Sequence, residues 1–244
     1  MNIGIMQPYF FPYLGYFDLI NRTDRWVVFD VVQFSRKSWM VRNRILHPSK
    51  GWQYIGVPIN KVDRNILIKD VVVHDSEKTL TRILGQLEHY KRSAPYYKEV
   101  IDLVRAGFGA RNGERLVDIN VATLAIVCDY LGVVFDYSIC SEMDLHIEAI
   151  NHPGQWALRI SEQLGASGYT NPPGGRQIFD PKEWNESGIL LQFTEIPDFQ
   201  YETKSHKFVP NLSIIDLLMW NTPEAIFDYL QEMKVESARG LETE

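Results

Sequence analysis

The sequence predicts an α/β domain with a mostly parallel sheet and an added helical layer. Three observations predict it. A strand-like run, a helix-like run and a second apolar run succeed one another between Asn2 and Phe34, the order of a βαβ unit. Leu116 to Leu131 is apolar almost all round, as a buried helix is. The 244 residues show no repeat, low-complexity linker or composition shift that would divide them. One α/β domain over 1–233 with a helical C-terminal part is the simplest organisation, with a small, charged, frayed tail over 234–244.

The elements follow in order. Asn2 to Met6 reads as a short buried strand and Leu14 to Asn21 as a helix, with a Pro/aromatic turn (QPYFFPYLGYF) between them. Arg25 to Phe34 is β-branched and apolar, hence a second strand. This start is Rossmann-like, and ligands of such sheets sit outside the carboxyl ends of the strands. Tyr54 to Pro58 and Ile66 to Val73 are further strand candidates. A helix from Glu77 to Arg92 places Leu80, Ile83, Leu84, Leu87 and Lys91 on its inner stripe and His89 on the opposite face. Pro95 suits the first turn of a helix running to Arg105. Gly132 closes the buried helix, and Val133 to Ile139 reads as a strand. Pro153 opens a helix closed by Gly165, and SGYTNPPGGRQ reads as a loop. Leu190 to Ile196 is a weak strand. Ser213 to Trp220 and Pro223 to Met233 read as helices.

Composition excludes several classes. With 45% hydrophobic residues the chain is too apolar for a disordered protein. A net charge of -6 argues against a nucleic-acid surface, which rewards a basic face. Cys128 and Cys140 lack the number and spacing of a disulfide framework or zinc site, so a reduced, cytoplasmic setting is expected. The N-terminus lacks the basic start and long apolar run of a signal peptide. No stretch approaches the roughly 20 apolar residues of a spanning helix.

Candidate chemistry concentrates in a few segments. The N-terminal turn packs aromatics and prolines around Gln7; Tyr9 and Phe10 there could stack on a base or sugar ring, or the turn could simply cap the core. Asp30 interrupts an apolar strand and needs a partner or a cleft. Gln33, Arg36, Asn43 and Arg44 follow it, and arginines near a strand end can hold a phosphate, or can pair with Asp30. Lys61 is an anion ligand or plain surface. The Gly168 to Arg176 segment offers backbone amides, Asn171 and the adjacent Gly174 and Gly175, whose lack of Cβ permits close approach. Asp216 has capping-box spacing from Ser213; with Asn211 as the cap instead, Asp216 would be free for a site. The six histidines show no metal-ligand spacing, and no G-x-S-x-G elbow is present.

The segments MQPYFFPYLGYFDLI, FDVVQFSRKSWMVRNRI, YIGVPINK, YTNPPGG and FVPNLSIIDLLMW resemble the WbqC-like family over nearly the whole chain, from Ile3 to about Trp220. The family is associated with gene sets for bacterial surface polysaccharide, particularly O-antigen. The resemblance implies nucleotide-linked deoxy- or aminosugars as substrates. Its pattern falls on Gln7, Pro8, Tyr9, Asp30, Gln33, Arg36, Asn43, Arg44, Lys61, Tyr90, Asn171, Gly174, Gly175, Asn211 and Asp216. A looser similarity joins the start of the chain to nucleotidyltransferases of the HIGH type. Tyr13-Leu14-Gly15-Tyr16 here replaces both of their histidines, so the frame is similar and the chemistry is not expected to carry over.

The expected function is transfer of an acyl or aminoacyl group to the amine of a nucleotide-linked sugar. Asp30 or His89 would be the base, Arg36, Arg44 and Lys61 the pyrophosphate ligands, and Tyr9 and Phe10 the stacking rings. The alternatives are a nucleotidyl- or glycosyl-transfer enzyme of the same pathway, or a non-catalytic binding protein of polysaccharide assembly. No metal or cofactor is expected and the acyl donor is open. The expected partner is a nucleotide-linked sugar, without nucleic acid or membrane span, and a homodimer is an open possibility.

Overall fold

The computed structural model describes residues 1–147, 150–204 and 206–241, with side chains through residue 233. Five strands form one sheet, β1 (Asn2–Met6), β2 (Arg25–Val28), β5 (Tyr137–Ile139), β6 (Gly168–Asn171) and β7 (Leu190–Phe193), in the order β5-β2-β1-β6-β7. Every neighbouring pair is parallel, with Ile3 opposite Arg25 and Tyr169. A hairpin of β3 (Arg42–His47) and β4 (Gly51–Gly56) stands apart as a two-stranded antiparallel sheet.

Alternation along the strands explains the layering. Ile3, Ile5 and Val27 point to one face of the sheet, where they pack with Ala157, Leu158 and Ile160 of α5 (Gln155–Gln163) and Trp184 of α6 (Pro181–Ser187). Trp26 and Val28 point to the other face. The larger core there is built by α1 (Leu14–Asn21), α3 (Tyr97–Gly109), α4 (Leu116–Leu131), α7 (Ile214–Trp220) and the hairpin. Gly4 carries no side chain because a Cβ would lie 2.7 Å from the Trp26 ring. The result is a Rossmann-like, doubly wound α/β sheet with helices on both faces.

Several expectations need correcting. The second strand stops at Val28, where the chain turns away into the Asp30 loop. Ile66 to Val73 is not a strand. It forms a 3₁₀ turn at Ile68–Asp70 and three isolated bridges, because its backbone bonds are scattered over Val32, Asp30 and Glu114 rather than one neighbour. The segment read as the loop SGYTNPPGGRQ contains β6, an interior strand buried throughout, whose pairing overrides its Gly/Asn composition. The helix α2 (Ser76–Leu87) tightens into a 3₁₀ turn at Glu88–Arg92. That change of pitch advances the phase, so Tyr90 is buried, Lys91 is exposed and His89 is half-buried. The last helix, α8 (Pro223–Leu241), continues past Met233 through good helix formers; 242–244 lie outside the described residues. Among the described residues no helix is long and apolar enough to cross a membrane.

Candidate functional site

β1 sits at the point where the chain reverses its direction of winding. From β1 the connection runs through α1 to β2 on one side; β6, on its other side, continues through α6 to β7. A crevice opens beyond the carboxyl ends of strands at such a point. Here it holds about 1030 Å³ and is walled by Tyr9, Tyr13, Phe29, Trp39, Trp156 and Phe179, with Gln7, Gln33, Asn151, His152, Asn171 and Gly174 as polar or open positions.

The N-terminal wall is held rigidly, by side chains from elements far away in sequence. Tyr16 Oη donates to Gln7 O at 2.8 Å. Asn120 Nδ2, in the middle of α4, donates to Pro8 O at 2.8 Å and Met40 O at 2.9 Å. Asn43 Nδ2 reaches Phe10 O at 3.2 Å and Phe11 O at 2.9 Å, and Ser213 Oγ donates to Phe11 O at 2.7 Å. Phe11 is thereby kept at φ 37, a left-handed conformation that a bulky side chain otherwise avoids. The opposite wall follows β6. Tyr169 Oη donates to Asn171 Oδ1 at 2.7 Å. A Cβ on Gly175 would stand 2.1 Å from Asn171 Nδ2, so the bare glycine leaves the Asn171 amide its place in the wall.

A third side comes from α5 and α6. His152 Nε2 lies 2.9 Å from Glu183 Oε2. Gln155 Nε2 donates to Glu183 Oε1 at 2.7 Å while its Oε1 accepts from Asn151 N at 2.8 Å. Gly154 lets the chain pass against Ile178, whose carbonyl oxygen would stand 2.0 Å from a Cβ.

With this geometry in hand, comparison with known proteins is direct. The WbqC-like protein family matches residues 7–227. The chain belongs to that family. The WbqC-like match takes in both crevice walls and the α5–α6 side. The uncharacterized protein Rv1507c of Mycobacterium tuberculosis (strain ATCC 25618 / H37Rv) is 26% identical over 232 residues, covering 94% of this chain and 97% of the relative. No solved structure matches.

Of the positions highlighted by the WbqC-like pattern, the fold brings Gln7, Tyr9, Gln33, Asn171, Gly174 and Gly175 to the crevice. Gln33 also borders a neighbouring opening of about 470 Å³, lined by Ser35, Arg36, Asp63 and Arg64. Arg36 donates there to Val62 O at 2.7 Å.

The other positions lie elsewhere. Phe10 is fully buried, edge-on to Phe11 and Phe108 rather than in the crevice, because the Asn43 and Asn120 bonds turn it inward. Asp30 is fully buried and accepts Ser141 N at 2.9 Å and Ser141 Oγ at 2.6 Å, tying the chain after β2 to the end of β5. Burial raises its carboxyl above the ordinary range, and the two Ser141 bonds pull it part of the way back. Arg44 caps Asn211 O at 3.1 Å and packs on Trp39 and Trp52. Asn211 itself is exposed at φ 55, and Lys61 is exposed outside the crevice lining.

His89, Tyr90 and Asp216 form part of a separate cluster. Asp216 is not a cap. Ser213 caps α7 through Ile215 N, whereas the buried Asp216 carboxylate accepts from Tyr90 Oη, from Tyr201 Oη at 2.6 Å and from Leu46 N at 3.3 Å. Burial raises Asp216 and, well above its ordinary value, Tyr90. His89 stacks on Tyr90 and bonds Gln86 O at 2.9 Å; burial lowers its pKa.

Sequence reading missed His152, Gln155 and Glu183. His152 and Glu183 each stand at the amino end of a helix, and their approach across 31 residues is tertiary. The local signal was limited to a histidine ahead of the Pro153 helix start.

Proposed function

We propose that the protein transfers an acyl or aminoacyl group to the amine of a nucleotide-linked aminosugar during bacterial surface-polysaccharide synthesis, O-antigen included. The observation that carries this reading is the crevice at the sheet's switch point. Its walls are aromatic and its polar groups few, as suits a sugar or base ring held by stacking and a handful of hydrogen bonds. Membership of the WbqC-like protein family supports the substrate class.

No Arg or Lys lines the crevice among the described residues. The pyrophosphate is therefore assigned to the adjoining opening, reached past Gln33, where Arg36 and Arg64 supply positive charge. The test is incubation with dTDP- and UDP-linked aminosugars and acyl thioesters, followed by mass spectrometry of the sugar nucleotide. An added acyl mass supports the reading. Release of pyrophosphate or of a nucleoside diphosphate marks a nucleotidyl or glycosyl transferase instead. Binding of a pathway enzyme with no sugar nucleotide bound marks a scaffold. Under the proposal Arg36→Ala raises KM for the sugar nucleotide about 10-fold, the loss of one charge-assisted bond, with kcat little changed.

A further inference from the structure

The side chains lining the crevice pose a question of proton balance. Joining an acyl group to an amine requires that the ammonium lose a proton, so a base must stand within reach. The titratable groups in the lining are Tyr9, Tyr13, Tyr16, Tyr169 and His152. Burial holds all four tyrosines above their ordinary range, so none of them takes up a proton near neutrality. No Asp, Glu, Lys or Arg lines the crevice among the described residues. Asp30 and His89 are both outside it.

We propose that His152, oriented by Glu183, is the catalytic base of the crevice. The inference rests on the acyl-transfer reading for its substrate and on geometry for its assignment. Glu183 Oε2, 2.9 Å from His152 Nε2, selects the tautomer that carries its proton on Nε2. Nδ1 is left with a lone pair and has no hydrogen-bond partner among the described residues. Glu183 is itself fixed by Gln155 Nε2 at 2.7 Å, and Gln155, almost wholly buried, is anchored by Asn151 N. The base, its orienting carboxylate and a further support thus form a chain running inward from the crevice wall. An ion pair serving only to dock α6 on α5 would not need its imidazole in the crevice lining.

His152 Nδ1 takes one proton from the substrate ammonium. The freed nitrogen lone pair forms the C–N bond at the carbonyl carbon of an acyl thioester as the C–S bond breaks. The second nitrogen proton leaves on the sulfur as thiol, and the imidazolium returns its proton to water.

Two measurements test this. The first needs no turnover. Diethyl pyrocarbonate is applied to the intact chain, followed by peptide mass spectrometry, and ¹⁵N-histidine spectra assign the tautomer. His152 is expected to be carbethoxylated in the folded protein, to carry its proton on Nε2, and to react several-fold more slowly in Glu183→Gln. An unreactive His152, or one protonated on Nδ1, overturns the proposal whatever the substrate.

The second uses the acyl-transfer assay. His152→Gln is expected to lower kcat at least 100-fold with KM little changed, and to lose the limb along which wild-type rate rises with pH. Glu183→Gln is expected to lower kcat about 10-fold with KM little changed and to lose the Nε2–H tautomer of His152 in the ¹⁵N spectra, and it carries the test should His152→Gln fail to fold. Full turnover in His152→Gln, or an unchanged kcat and tautomer in Glu183→Gln, overturns the assignment and leaves acyl transfer standing. Absence of turnover in the wild type removes acyl transfer instead, and the labelling result then decides the base.

Discussion

At the scale of single residues, buried amides and carboxylates do more to shape the site than the charged residues near it. Asn43 Nδ2 donates twice to the N-terminal loop, while its Oδ1 accepts Arg44 N at 2.8 Å. Asn43→Ala leaves buried carbonyls short of donors and is expected to cost about 3 kcal/mol in chemical denaturation. A loss below about 0.5 kcal/mol would show that water replaces the amide. Asp30 sets a pH dependence. Its raised carboxyl means that the folded state holds a proton to higher pH than the unfolded chain. Its contribution is complete below the ordinary carboxylate range and lost as pH rises through the raised value. Asp30→Asn cannot titrate, so its stability relative to wild type is expected to improve between about pH 4 and pH 7, measured by urea melts. A stability relative to wild type that stays level or falls over that range contradicts the assignment. Gln7, Tyr9 and Asn171, which line the crevice, stood out in the sequence because turns beside strand ends display them. His152 and Glu183 did not, because neither carries a local pattern and only the packing of α5 and α6 joins them.

At the scale of elements, two glycines separate close approach from mere flexibility. Gly154→Ala drives a Cβ into the Ile178 carbonyl and is expected to cost about 1–3 kcal/mol, displacing the His152 segment as it does so. Gly85, exposed inside α2, has open space around it, and Gly85→Ala is expected to add about 0.5–1 kcal/mol. Thermal melts of the pair check both signs. Elements with a strong local signal, such as β1, α1 and α4 with its Gly132 close, were readable from sequence alone. β6 was hidden because its four residues, Gly-Tyr-Thr-Asn, are a strand only by virtue of neighbours on both sides. Ile66 to Val73 erred the other way: Ile68, Val71 and Val73 are buried, but no partner strand runs beside them.

For the molecule as a whole, a mostly parallel sheet with an added helical layer was legible in the succession of apolar runs, whereas the division of the helices between both faces was not. The location of the site was not, because strand order becomes visible only when β5 and β6 take opposite sides of β1. Cys128 and Cys140 report on this whole. Both thiols are free and buried, Cys128 in the larger core and Cys140 in the smaller. Burial pushes Cys140 up to about 11 and Cys128 higher still, so neither is a thiolate near neutrality. A disulfide reagent is expected to label neither in the native protein and both, together, once denaturant unfolds it. Early labelling of Cys140 alone would show the α5–α6 face opening independently of the rest.

The hydroxyl that fastens Phe11 belongs to Ser213, 202 residues later in the chain. A ribosome adding roughly 5–20 residues per second needs about 10–40 s to bridge that gap. The entrance to the crevice is thus translated well before the serine that locks it. Until the final helices arrive, its tyrosines and phenylalanines must wait outside any finished core.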